Sequence, residues 1–141
     1  MRIVKIDENI LNILLENLNN YDEFWNDRIL LDELNNPNSE YYALMENEIL
    51  FGFGGIWLNI DEAHIMNIAV EKSMRKRGYG NKILNFLIDR AKQLNKGCIT
   101  LEVREDNKSA ISLYEKNSFS KVGKRKRYYK DLDAIIMTRN F

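Results

Sequence analysis

Three basic residues, Arg75, Lys76 and Arg77, stand directly before Gly78 and Gly80 in the stretch Ile68–Asn81. A short apolar run ends at Val70, a basic loop follows, and the glycines open a long amphipathic segment. That order predicts a strand, a loop and a helix N-terminus. The first N–H groups of a helix lack intrahelical partners and sit at the positive end of its macrodipole, so such a junction attracts anions. Glycines let the backbone amides turn inward with no Cβ in the way. The chemistry expected of this stretch is the holding of a phosphorylated ligand.

Spacing excludes two common phosphate loops. A dinucleotide fingerprint needs G-x-G-x-x-G, but Ile83 stands where the last glycine belongs. A P-loop needs G-x-x-x-x-G-K-[ST]; Gly78 and Gly80 are too close, and no Gly-Lys-Ser/Thr follows. The remaining pattern, Arg75-x-x-Gly78-x-Gly80, is also that of a plain basic turn before a helix. Further along, Leu101-Glu102-Val103 alternates, so Glu102 points away from its apolar neighbours. On pattern alone it is either an exposed strand glutamate or a base. Asn107 is a good helix N-cap, and Tyr114 lies two turns on along the same face, as a core tyrosine beside Ile111 or as a proton donor.

The elements that must position these residues follow from periodicity. Arg2–Ile6 alternates as a strand, and Ile10, Leu11, Leu14, Leu15 and Leu18 mark a helix over Glu8–Leu18 with Asp7 as N-cap. Asn26 or Asp27 caps a second helix that packs through Ile29, Leu30, Leu31 and Leu34 and ends near Asn35–Pro37. Glu40–Glu46, Ile49–Ile60 and Ala63–Val70 read as strands, with the glycines Gly52, Gly54 and Gly55 marking a bulge or a close approach. Ile83, Leu84, Leu87, Ile88, Ala91 and Leu94 form one stripe of a helix over Gly80–Lys96. Cys98–Arg104 is a strand, Asn107–Asn117 a helix, and Phe119–Tyr129 with Ala134–Arg139 a closing hairpin. The order βααβββαβαββ predicts a mixed α/β domain spanning 1–141.

The 141 residues, 45% hydrophobic and 30% charged, fit one globular domain. A formal net charge of zero leaves no global field to recruit nucleic acid or an anionic membrane. Lys124-Arg125-Lys126-Arg127 with Tyr128 and Tyr129 has the composition of an RNA strip, but on a hairpin these charges divide between two faces. One cysteine excludes an intrachain disulfide and a multi-cysteine metal site, one histidine excludes a His-rich metal centre, and no metal is expected. Cys98 reads as a structural thiol and His64 as structural. No apolar run reaches the roughly 18 residues of a membrane span, and Met1–Asp7 is not signal-like; the expected location is the cytoplasm.

Arg75-x-x-Gly78-x-Gly80 at a strand-to-helix junction resembles the acetyl-coenzyme A pyrophosphate loop of the GNAT N-acetyltransferase superfamily. Three further segments resemble its ribosomal-protein-alanine N-acetyltransferase (RimI-type) branch. They are Asp61-Glu62-Ala63 with Asn67–Val70; Leu101–Arg104 with Asn107, Ala110, Ile111, Leu113, Tyr114 and Glu115; and Arg127–Tyr129 with Asp133–Met137. Phe24-Trp25 and the helix after it resemble the branch's substrate-side helix more weakly.

The resemblance implies a GNAT fold and acetyl-CoA as donor. It makes Glu102 the general base, acting through a water, and Tyr114 the acid that protonates the departing thiol. Lys76, Arg77, Gly78, Tyr79, Gly80 and Asn81 would supply pyrophosphate amides, with Arg75 and Arg77 as charge partners and Asn107 as a further cofactor contact. Ile68, Ala69 and Val70 would hold the acetyl and pantetheine arm through backbone groups. Tyr128 and Tyr129 would border the acceptor groove, and Trp25 would either line it or pack the second helix. The implied acceptor is a protein N-terminus, such as that of a small-subunit ribosomal protein, with no direct nucleic-acid or membrane partner. A small amine, a lysine, or a non-catalytic acyl-CoA or ribosome-binding role are the rival readings, and the oligomeric state is open.

The chain departs from the branch in two places. Asn117-Ser118-Phe119 replaces a segment with glycine before the phenylalanine, and Asn117 is expected to take the left-handed cap one residue early. The Lys130–Leu132 connection is also short.

Overall fold

The alternating segments do form strands, and the structure, a computed structural model, describes residues 1–21, 27–129 and 131–141, with the side chains of all but Asp27 and Arg127–Tyr129. The strands are β1 (Arg2–Lys5), β2 (Ser39–Glu46), β3 (Ile49–Leu58), β4 (Glu62–Val70), β5 (Cys98–Arg104), β6 (Ser120–Tyr129) and β7 (Leu132–Asn140). The helices are α1 (Glu8–Glu16), α2 (Asp27–Leu34), α3 (Tyr79–Gln93) and α4 (Lys108–Lys116). One seven-stranded sheet runs β1-β2-β3-β4-β5-β7-β6. Every neighbouring pair is antiparallel except β4 and β5, which are parallel and joined through α3.

Each face of the sheet buries its own apolar layer. On one side, Ile83, Leu84, Leu87, Ile88 and Ala91 of α3 and Ile111 of α4 pack with Ala63, Ile65, Ile99, Leu101 and Met137. On the other, Ile10 and Leu14 of α1 and Leu30 of α2 pack with Tyr41, Ala43, Met45 and Phe53. The strand glycines mark close approaches. A Cβ on Gly54 would lie 2.5 Å from Cγ2 of Ile83, so α3 can sit on β3 only because no side chain is there. The register slips at Gly55/Ile56, the bulge expected of a glycine-rich strand.

Local signals fixed several element ends. The N–H of Ile10 donates to Oδ1 of Asp7 at 2.9 Å, and that of Ala110 to Oδ1 of Asn107 at 3.2 Å, so both expected caps form. The choice between Asn26 and Asp27 lies outside the described residues.

Three expectations need correction. Leu30 of α2 is fully buried and Leu34 packs beside it, but Ile29 and Leu31 are each 37% exposed. An eight-residue helix lying on a sheet turns only one stripe inward, and that stripe is Leu30, Glu33 and Leu34. β3 ends at Leu58, leaving Ile60 exposed, because the N–H of Asn59 turns back to the carbonyl of Glu62.

The third concerns the end of α4. Asn117 has φ −100°, and Ser118 takes the left-handed conformation at φ +70°. The N–H of Phe119 bonds the carbonyl of Tyr114 and that of Ser118 the carbonyl of Glu115, a Schellman closure with serine in the glycine position. Asn117 instead spends its side-chain amide on the carbonyl of Leu113 and on Oδ1 of Asn81, each at 2.9 Å.

Candidate active site

β4 and β5 pair only over Glu62–His64 and Cys98–Thr100. From Ile65 to Val70 the edge of β4 that faces β5 meets no strand among the described residues, while β3 holds the other edge. Backbone N–H and C=O groups exposed along such an opening demand partners. Ile68, Ala69 and Val70 line it, each partly buried.

The basic loop crosses the end of that opening. A 3₁₀ turn over Lys72–Met74 leads to Lys76 at φ +65° and to Gly78 at φ +84°, which begins α3. No side chain caps α3, so its first N–H groups stay open to a ligand. A Cβ on Gly78 would meet nothing within 4 Å, and one on Gly80 would touch Val70 and Leu113 only at ordinary contact distance, 3.8 and 3.9 Å. The protein's own packing therefore leaves room over this turn. An uncapped helix start, positive-φ backbone and three neighbouring cations fit a pyrophosphate, and the unpaired strand edge fits an amide-bearing arm.

Side chains in the loop are partly engaged. Nε of Arg75 donates to the carbonyl of Val70 at 3.1 Å, and Arg77 reaches Sδ of Met74. The Tyr79 ring packs on Phe51 with centroids 5.3 Å apart. Asn81 is bound to Asn117, tying the start of α3 to the end of α4. The carboxamide oxygen of Asn107 serves as the cap of α4.

Glu102 and Tyr114 lie on opposite faces of the sheet, with the opening between them. Leu101 and Val103 are buried against α3 and α4, so Glu102 turns to the α1–α2 side, where its side chain is 21% exposed and accepts from Nη1 of Arg125 at 3.2 Å. His64 is in register with Thr100 and shares that face; burial, and more weakly the Arg125 charge, lower its pKa against the opposing pull of Glu102 and Glu62. Tyr114 packs with the α3–α4 layer, its ring 5.8 Å from that of Phe119. Burial pushes its phenol up to about 12. Cys98 contacts Glu62 at 3.9 Å, and burial followed by that carboxylate raises its thiol pKa, which suits an inert thiol. The backbone of Tyr128 and Tyr129 belongs to β6 while their side chains lie outside the described residues, as does Trp25.

One cluster escaped the sequence. Tyr41, Gly55 and Asn67 stand in line across β2, β3 and β4. The Tyr41 hydroxyl donates to Oε2 of Glu33, and Nδ2 of Asn67 donates to the same oxygen at 2.9 Å. The available signal was a carboxylate in the inward stripe of α2, between Leu30 and Leu34. No group of His, Cys, Asp or Glu side chains among the described residues is arranged to hold a metal ion.

The profile of the acetyltransferase (GNAT) family matches residues 8–119. The chain belongs to that family. Its GNAT fold extends over nearly the whole chain in the crystal structure of the ribosomal-protein-S18-alanine N-acetyltransferase from Escherichia coli. That structure is 27% identical, has a TM-score of 0.89, and covers 99% of this chain and 92% of its own. A putative [ribosomal protein bS18]-alanine N-acetyltransferase of Bacillus subtilis is 35% identical over 106 residues, 74% of this chain and 70% of that protein. The N-alpha-acetyltransferase RimI of Mycobacterium tuberculosis is 33% identical over 125 residues, 84% and 77% of the two chains. This GNAT protein is an acetyl-CoA-dependent N-acetyltransferase. No helix among its described residues is long and apolar enough to cross a membrane.

Proposed function

We propose that this enzyme acetylates the N-terminal α-amine of a protein, with the alanine terminus of ribosomal protein bS18 as its acceptor in the cytoplasm. The observation that carries the reading is the likeness to the Escherichia coli and Bacillus subtilis enzymes of that specificity across most of the chain. An α-amine with pKa near 7.8 is roughly a tenth neutral at pH 7, whereas a lysine near 10.4 is neutral at only about four parts in ten thousand. The gap, about 3.5 kcal/mol, means that an α-amine needs only modest help from a base.

Acetyl-CoA supplies an acetyl group activated as a thioester. The open amides of Lys76–Asn81, with Arg75 and Arg77 nearby, bind its pyrophosphate, and Asn107 adds a contact. The β5-facing edge of β4 at Ile68–Val70, which no strand among the described residues covers, orients the arm and the acetyl carbonyl. Glu102 takes the proton from the acceptor amine through a water, on the α1–α2 side. Tyr114 gives its proton to the leaving sulfur from the opposite side. Trp25, Tyr128 and Tyr129 border the acceptor.

The test compares peptides carrying the N-terminal sequence of bS18, free or blocked at the α-amine and containing one lysine. Acetylation of the free amine only is expected. Undiminished transfer to the lysine of the blocked peptide refutes the reading.

A further inference from the structure

Glu33 is a carboxylate with two donors and no cation. The Tyr41 hydroxyl and Nδ2 of Asn67 both approach its Oε2, and Nδ2 also lies 3.2 Å from the Tyr41 oxygen. Among the described residues Oε1 receives no hydrogen bond, and no lysine or arginine pairs with the group. Desolvation is the largest influence on it and raises its pKa, while the bond from Asn67 lowers it. A half-buried carboxylate of this kind favours a cationic partner.

The cluster is built rather than incidental. A Cβ on Gly55 would fall 2.3 Å from Cζ of Tyr41, so the tyrosine ring lies flat across β3 in the space that the glycine leaves. Tyr41 is 2% exposed, and its ring cannot swing away. That holds the hydroxyl beside Asn67, the residue immediately before Ile68–Val70 on the open edge of β4. Nδ2 of Asn67 faces the carboxylate, and among the described residues no hydrogen bond reaches its Oδ1, which leaves an acceptor. Glu33 and Asn67 occupy the same face of the sheet as Glu102, across the opening from it.

We infer that Glu33 Oε1 and Asn67 Oδ1 form the receiving site for the α-ammonium of the acceptor, with Tyr41 as the positioning residue that fixes both. The inference rests on the proposed N-terminal-amine acceptor. The site binds the amine as it arrives, charged at neutral pH; loss of its proton belongs to Glu102.

The test uses the full chain saturated with CoA, so that no transfer occurs. Calorimetry measures binding of an alanine-initiated peptide and of its des-amino analogue, in which hydrogen replaces the α-amine. Wild type should prefer the amine by about tenfold or more, the size of a charge-assisted hydrogen bond. Glu33→Gln should cut that preference to about twofold while leaving the affinity of the des-amino peptide unchanged. A merely structural role would weaken both peptides together. Retained preference in Glu33→Gln overturns the inference, as does equal binding of the two peptides by wild type, which needs no variant to fold. If wild type with acetyl-CoA acetylates no free peptide terminus, the acceptor reading falls and this inference with it; acetylation with an unaltered preference in Glu33→Gln refutes the inference alone.

Discussion

Arg125 on the edge strand β6 reaches over β7 to place Nη1 3.2 Å from Oε2 of Glu102 on β5. The guanidinium is 59% exposed and the carboxylate 21%, so the pair adds little to stability, under about 1 kcal/mol, and serves instead to orient the carboxylate. Removing the carboxylate and removing its orienting partner should therefore differ in size. Glu102→Gln is expected to lower kcat by about a hundredfold or more with CoA affinity retained, the usual weight of a general base. Arg125→Ala should lower kcat by only about three- to tenfold, through a less restrained carboxylate. Steady-state rates and CoA titration decide this; wild-type turnover in Glu102→Gln removes the base.

Tyr114 should act as an acid across the whole physiological range. Its phenol is pushed up to about 12 by burial, so the proton stays on well past neutral pH. The folded pKa lies above the unfolded value near 10, so the native state holds this proton longer. The stability linked to it is complete below pH 10 and is lost as pH rises from about 10 to about 12. The pH–rate profile should accordingly show no falling limb from Tyr114 between about pH 7 and 10. Tyr114→Phe should lower kcat by about a hundredfold at every pH in that range, with CoA binding retained.

The turn at Gly78 should matter more to the donor than to the fold. Alanine there must adopt φ +84°, costing about 1–2 kcal/mol, and its methyl would enter the space left open above the turn. Gly78→Ala should raise the CoA Kd by about tenfold or more. Gly80→Ala, whose methyl meets only ordinary contacts inside a helix, should weaken CoA much less and raise stability by about 0.5–1 kcal/mol. Calorimetric titration with CoA and thermal melts of both variants check the contrast.

What could be read from the chain was whatever depends on near neighbours. The stripe of α3, the alternation that turns Glu102 away from Leu101 and Val103, and the caps at Asp7 and Asn107 are all set within a few residues. The length of the β4–β5 ladder is not, because it depends on where two strands that are far apart in the chain begin to part. Glu33 was hidden for the same reason, since its partners Tyr41 and Asn67 belong to two different strands. At Asn117 a local preference pointed one residue early, because the amide that would favour a left-handed turn is used up on Leu113 and Asn81.

That misplacement leaves a residue under strain. Ser118 holds φ +70°, where a Cβ crowds the following carbonyl, at a cost of about 1 kcal/mol that glycine would not bear. The conformation is retained because it closes α4 through the bonds from Ser118 to Glu115 and from Phe119 to Tyr114. It also sets the Phe119 ring against Tyr114, the apolar contact that accompanies such closures. Ser118→Gly should keep both bonds and both rings while relieving the strain. The expected gain is about 1 kcal/mol, or roughly 3–5 °C in Tm, with kcat unchanged because Tyr114 does not move. Ser118→Ala keeps the Cβ and should gain nothing. Phe119→Ala should cost about 3–5 kcal/mol as a buried aromatic and lower kcat as well, since it removes the ring that steadies Tyr114. Equal melting temperatures for Ser118→Gly and Ser118→Ala would mean that the left-handed turn carries no strain.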